Sequence, residues 1–456
     1  MRNAHGEEAR SARSSPSRET AVSGVGERRY HASHTNFLRS LAMAELTLST
    51  VSAKLTPEIL QRAVQTIYEK RFRKDDTARV KGYKVAFASE KGDGFLGIIY
   101  RVTATLSDGT ELRLIAKGMP ANEKRREAFN CVRWFKREVH FYNAVCPVFK
   151  QIGGRYLAVA DCYYAMSDGS NDFLLLEDLV ESGFRMADKK AGLNTIQTIS
   201  IVKMIARFHA LSLTLKVLQP EKFRELTTDM GESLFNENGE AWLGNYWENL
   251  AHLVARAVEP ELADTHYLER FKKFSERKHL FALMQEYVAV DELRIINHGD
   301  SWATNFMFDA TGAIAKAIDF QITRFASLMT DLSTIIFACT TEEHRNNIGG
   351  VRGILRIYHE EVLTVFEALD IDFPEEFSYD RLQRLWVKLG GFGLALSIEL
   401  VPISMQDKDE VKDLDNIEET EATTLEEMTH FEEITKPEQV KRLVDMIKLA
   451  VDHGCI

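Results

Sequence analysis

The stretch RIINHGDSWATNFMF, residues 294–308, sets His298, Asp300 and Asn305 among apolar side chains, and the chain then runs on to AIDFQ at 317–321. These two apolar strands, separated by DATG at 309–312, constrain the fold more than any other feature. Paired through that turn, they form a small hairpin that brings Asp300, Asn305 and Asp319 to one edge. A structural turn accounts for Asp and Asn taken singly, since both favour turns and caps. It does not account for a second strand that ends in a carboxylate beside the first pair. Hard oxygen ligands with a free carboxylate are what phosphoryl transfer requires: Mg²⁺ across phosphate oxygens, and a base or anchor for the incoming hydroxyl.

Two upstream segments fit that chemistry. EKGDGFLGIIYRV contains GxGxxG at Gly92, Gly94 and Gly97. Alone this is a weak signal, because glycines are common in turns. A dinucleotide fold needs a helix directly after the last glycine, whereas here a β-branched strand follows, with Ile99 where kinases often carry Val. A flap over ATP phosphates fits that context. Lys117 ends the strand LRLIAK, where a lysine snorkelling to solvent is the plain reading. In VRWFKREVHFY, however, Glu138 follows Trp134 and Phe135 by four and three residues and precedes Tyr142 by four, which places a carboxylate on an apolar helix stripe. Such a group needs a cation, and Lys117 is the candidate. A strand lysine paired with a helix glutamate is the arrangement that holds ATP phosphates in kinases.

The order of elements fixes the class. A helix opens at Thr56 and Pro57, strands fill about 80–118 with a hairpin turning at Ser107, Asp108 and Gly109, and one long helix is predicted at about 123–145. Strands around YLAVADCYYAM and DFLLLEDL follow, and helical spacing dominates from 194. Strands first and helices later predict an α+β fold with a small antiparallel-sheet lobe and a larger, mainly helical lobe. With 456 residues, 45% of them hydrophobic, the chain is long enough for two packed lobes. Residues 1–42 carry seven Arg and no Lys with little that could form a core, and read as a disordered tail before Met43, a transit peptide being the alternative. Residues 406–433 hold twelve acids against two lysines and read as a solvated loop or helix edge.

Other chemistries fall away. The net charge of −11 leaves no global basic field for nucleic acid or anionic lipid. Five scattered cysteines without a CxxC pair argue against a disulfide framework or thiolate zinc site and fit a reducing, cytoplasmic setting. No GxxxxGK[ST], GxSxG or complete zinc-protease helix occurs, and DKDEVKDLDNIE at 407–418 has Lys412 where an EF-hand needs glycine. His209 in IVKMIARFHALS reads as a core histidine that hydrogen-bonds the catalytic loop, not as a ligand.

INHGDSWATNFMF followed by AIDFQITRFASLMTDLSTIIF, with FLLLEDLVESGF upstream, resembles the ecdysteroid kinase-like family of the aminoglycoside phosphotransferase and choline kinase group, over roughly residues 80–400. The resemblance implies a two-lobed protein-kinase-like fold, with residues 55–180 as the ATP-binding lobe and 181–450 as the catalytic and acceptor-binding lobe. It implies Asp300 as catalytic base or hydroxyl-positioning group and Asn305 and Asp319 as Mg²⁺ ligands. Lys117, paired with Glu138, would contact the ATP phosphates, the backbone at Glu177 and Leu179 would receive adenine, and Asp331 would brace the catalytic loop. HGD where protein kinases have HRD, and Gln321 where they have glycine, favour a small-molecule acceptor. The expected activity is phosphorylation of a hydroxyl on a lipophilic acceptor such as an ecdysteroid, related sterol or xenobiotic, with no nucleic-acid, membrane or obligate protein partner. A choline- or ethanolamine-type kinase would call for acids and aromatics around a cation, for which Trp386 and the 406–433 run are the material. A pseudokinase binding module is the non-catalytic alternative. The helical-lobe aromatics Phe235, Trp242, Tyr246, Trp247, Trp386 and Phe392 are either acceptor pocket or core.

Overall fold

Alternation in IIYRVTATL sets Tyr100, Val102, Ala104 and Leu106 on one face of a strand, and helical spacing in PEILQRAVQTIYEKRF sets Leu60, Ala63, Val64 and Tyr68 on one face of a helix. These two faces meet in one apolar cluster. The computed structural model describes residues 46–72, 78–88, 97–243, 245–372, 377–406, 425 and 433–456, of which Thr47–Ile456 form one unit. The 1–42 tail, Gly92, Gly94 and nearly all of the acidic 406–433 run lie outside the described residues.

Helix α1 (Pro57–Phe72) starts as its Thr56-Pro57 pair predicts and packs on a five-stranded antiparallel sheet. The sheet runs in the order β1 (Val80–Phe87), β2 (Ile98–Leu106), β3 (Glu111–Gly118), β5 (Phe173–Glu177), β4 (Cys162–Met166). The Ser107-Asp108-Gly109 turn joins β2 to β3, with the Thr110 N–H donating to Asp108 Oδ1 at 2.9 Å, and in that register Ile99 stands across from Lys117. The predicted long helix at 123–145 is broken. A first segment, Glu123–Ala128, ends before Asn130, which adopts φ +48°, and helix α2 (Cys131–His140) begins after it. Asn tolerates this left-handed conformation. The bend buries Phe129 and lets Trp134 Nε1 donate to the Phe129 carbonyl at 2.7 Å. One π-helical turn, Phe141–Val145, then continues into a further helical segment.

The second lobe is mainly helical. Helix α3 (Thr195–Leu218), opened by a reciprocal Asn194 and Gln197 capping box, is buried along most of its length, and α4 (Tyr246–Leu262) packs in the same lobe. Short strands carry the site: β6 (Arg294–Asn297) pairs with β9 (Arg324–Ser327), and β7 (Phe306–Phe308) pairs with β8 (Ala315–Ala317) as the expected hairpin. Helices α5 (Gly350–Ala368), α6 (Tyr379–Ser404) and α7 (Pro437–Asp452) complete the lobe. Among the described residues α6 is long and apolar enough to cross a membrane, yet 72% of its apolar stretch is buried inside the protein. A small antiparallel-sheet lobe followed by a larger helical one is the two-lobed protein-kinase-like α+β fold.

Candidate active site

Lys117 Nζ lies 2.8 Å from Glu138 Oε2 and 2.9 Å from Asp319 Oδ1. The lysine arrives from β3 with its side chain 5% exposed, and the glutamate from α2 fully buried. Burial alone would lower the Lys117 ammonium. The two carboxylates reverse this and hold it above its usual value. Glu138 Oε1 also accepts the Phe320 N–H at 3.3 Å, so this one carboxylate ties strand lysine and hairpin together. Phe320 itself stacks on Phe141 at 3.7 Å and 7°, and contacts Tyr142, Phe208 and His298. The π-turn therefore supplies the rings that clamp the residue beside Asp319. Asp319 sits at φ +63°, in the left-handed region that Asp, like Asn, adopts more readily than most residues, and is held there by those contacts.

The catalytic-loop candidates are fixed from below. Asn305 Nδ2 donates to Asp300 Oδ2 at 2.8 Å and to the Asp300 carbonyl at 2.9 Å. Asp331 accepts the N–H groups of His298 and Gly299 at 2.7 and 2.8 Å and receives His209 Nε2 at 3.0 Å. His209 thus supports the loop through Asp331 and not by touching it, while its Nδ1 meets the Tyr358 hydroxyl at 2.8 Å. His298 Nδ1 accepts the Asp300 N–H at 3.3 Å, so its Nε2 donates to the Ile318 carbonyl at 3.0 Å. That arrangement is a neutral imidazole, and burial pushes the ring below its usual value. Gly299 has φ +87°, and a Cβ there would stand 1.9 Å from the Ile322 carbonyl oxygen, so only glycine fits.

Electrostatics single out Asp300. Burial, then the Asp319 charge, raises its carboxyl to about 7, opposed by the Asn305 hydrogen bond and the Arg324 charge. Arg324 on β9 is itself buried, 3.7 Å from Glu232, with its guanidinium over the rings of Phe235 and Phe392 at 5.5 and 5.6 Å. Sequence reasoning missed Arg324, Glu232 and Phe320. The ITRF and IDF strings that contain Arg324 and Phe320 carried a signal, but no local rule marks Glu232.

On the opposite side of Lys117, a Cβ at Gly97 would meet Lys117 Cε at 3.4 Å and Phe135 at 3.3 Å, so the chain passes close over the lysine. Glu177 at the end of β5 is tied by Lys316 at 2.9 Å and Ser182 at 2.7 Å. The Leu179 N–H has no hydrogen bond among the described residues, and Leu179, Ala160 and Met307 form a small apolar cluster with Ile318 against them. Of the helical-lobe aromatics, Trp386 is core, stacked on Phe337 at 5.4 Å, which removes it as a cation-cage ring. Phe235, Tyr246, Trp247 and Phe392 are also buried, but Phe235 and Phe392 adjoin Arg324, and Trp247 packs on Phe235.

The profile of the ecdysteroid kinase-like family matches residues 91–371. Among solved structures the chain is similar to an ethanolamine kinase of Plasmodium vivax, at 14% identity over 71% of this chain and 78% of that one, TM-score 0.36. It is similar also to an aminoglycoside-3′-phosphotransferase of type VIII (16%, 74% and 99%, TM-score 0.35) and to a choline kinase of Streptococcus pneumoniae (12%, 73% and 98%, TM-score 0.33). No curated protein matches it in sequence.

Proposed function

The chain belongs to the ecdysteroid kinase-like family of phosphotransferases acting on alcohol groups, and from that premise we propose that it transfers the γ-phosphoryl group of ATP, with Mg²⁺, to a hydroxyl of a lipophilic small molecule such as an ecdysteroid, a related sterol or a hydroxylated xenobiotic. The observation that carries this reading is the single buried ammonium of Lys117 joining Glu138 from the helix to Asp319 from the hairpin. In this role Glu138 fixes the lysine so that its remaining N–H can meet phosphate oxygens. Asp300, anchored by Asn305, is the group that orients the acceptor hydroxyl and takes its proton. The carbonyl of Glu177 and the N–H of Leu179 receive adenine against the Leu179, Ala160 and Met307 cluster.

The donor set suits Mg²⁺. Asp319 Oδ2 and Asn305 Oδ1 are hard oxygens with no hydrogen bond among the described residues. No group of three or more His, Cys, Asp or Glu among those residues is placed to hold a metal without other ligands, so phosphate oxygens and water would complete the shell. When bound, the ion neutralises phosphate charge. The test is ATP consumption by the purified protein with Mg²⁺ over a panel of hydroxylated steroids, plant metabolites and insecticide metabolites. Consumption above the acceptor-free rate with steroidal alcohols is expected; none with any member of the panel contradicts the proposal.

A further inference from the structure

Glu399 on α6 is half-buried, and its carboxylate accepts the Tyr246 hydroxyl at 2.9 Å and Trp247 Nε1 at 3.4 Å. No Lys, Arg or His forms an ion pair with it among the described residues. A carboxylate has about four lone-pair positions, and these two neutral donors leave capacity for more. A half-buried carboxylate without a cation calls for further donors. Glu399 lies two turns from Phe392, on the same face of the helix. Phe392 lies under the Arg324 guanidinium, and Phe235 contacts Arg324, Phe392 and Trp247 at 5.5, 5.8 and 5.5 Å. Arg324 Nε in turn lies 3.2 Å from where a Cβ on Gly299 would stand, next to Asp300. One continuous wall therefore runs from the catalytic loop to Glu399.

We propose that Glu399 is a specificity-determining residue of the acceptor site, accepting a hydrogen bond from a second hydroxyl of a polyhydroxylated acceptor while the first hydroxyl meets Asp300. The inference rests on the alcohol-acceptor reading above. An ammonium group is the less suited occupant, because beside Phe235 and Phe392 it would meet the like charge of Arg324.

The test compares wild type, Glu399→Gln and Glu399→Leu with an ecdysteroid bearing several hydroxyls and a mono-hydroxylated sterol, each with ATP and Mg²⁺. Loss of a hydrogen bond to a charged group should raise KM for the ecdysteroid about tenfold or more in Glu399→Leu, with kcat and the KM for ATP little changed. Glu399→Gln, which keeps an acceptor oxygen, should fall between the two and serves alone if the leucine variant does not fold. KM for the mono-hydroxylated sterol should be the same in all three. An ecdysteroid KM unchanged in both variants, while the wild type turns the compound over, overturns the inference and leaves the kinase assignment standing. If the wild type prefers ethanolamine to both sterols and Glu399→Leu loses that preference, the acceptor class is wrong. A wild type that phosphorylates no sterol overturns substrate class and inference together.

Discussion

At Asp300 the surroundings and the chemistry make opposite demands. A base must be ionised to take a proton, yet burial and the Asp319 charge lift this carboxyl to about 7. In the metal-free, nucleotide-free protein the folded state therefore holds a proton that the unfolded chain releases near pH 4. The stability from that retained proton is fully present below about 4 and is lost as pH rises through about 7. Asp300→Asn removes the titration. Its melting temperature relative to wild type should rise between pH 4 and pH 8, while turnover falls to background and ATP binding stays. Parallel thermal melts across that range check this, and a constant offset between the two proteins would rule out the elevated carboxyl.

Among elements, the sheet lobe and hairpin are joined through charge and through one ring. Replacing Lys117 by Met leaves Glu138 buried with no cation, and should cost about 3–5 kcal/mol in denaturant unfolding. The double replacement Lys117→Met with Glu138→Leu should recover most of that loss and remain inactive, because an apolar pair fills the space without the charge problem. If the double variant were as unstable as the single one, the pair would not be the source of the cost. This pairing was legible in sequence, since strand alternation placed Lys117 and the helix stripe placed Glu138. The Asp300, Asn305 and Asp319 edge was legible for the same reason, being set by one short hairpin. The break at Asn130 was not, because periodicity continues across it and the bend is set by where Phe129 and Trp134 pack. Nor was the Phe320 clamp, whose stacking partner Phe141 is far away in sequence and presented by a π-turn.

For the whole molecule, the packing of Phe235 and Phe392 around Arg324 was the part least open to sequence reading. Trp386 and Phe392 sit six residues apart on one buried helix; one ends in the core against Phe337 and the other under Arg324, a difference only tertiary packing decides. Ligand binding offers a measure of the site as a unit, since anything that binds only the folded state stabilises it by mass action. At a nucleotide concentration 100 times Kd the gain is about 2.7 kcal/mol. ATP with Mg²⁺ should therefore raise the melting temperature by several degrees, ATP with a chelator by much less. Asp319→Ala should lose the Mg²⁺-dependent part, and an equal shift with and without Mg²⁺ in the wild type would favour a binding module that lacks the chemistry.

The most direct measurement is mass-spectrometric detection of a phosphate ester after incubating an ecdysteroid with ATP, Mg²⁺ and the protein. The wild type is expected to form the ester, and Asp300→Asn and Asp319→Ala to form none above background. Undiminished ester formation by either variant would contradict the assignment of Asp300 and Asp319 to phosphoryl transfer.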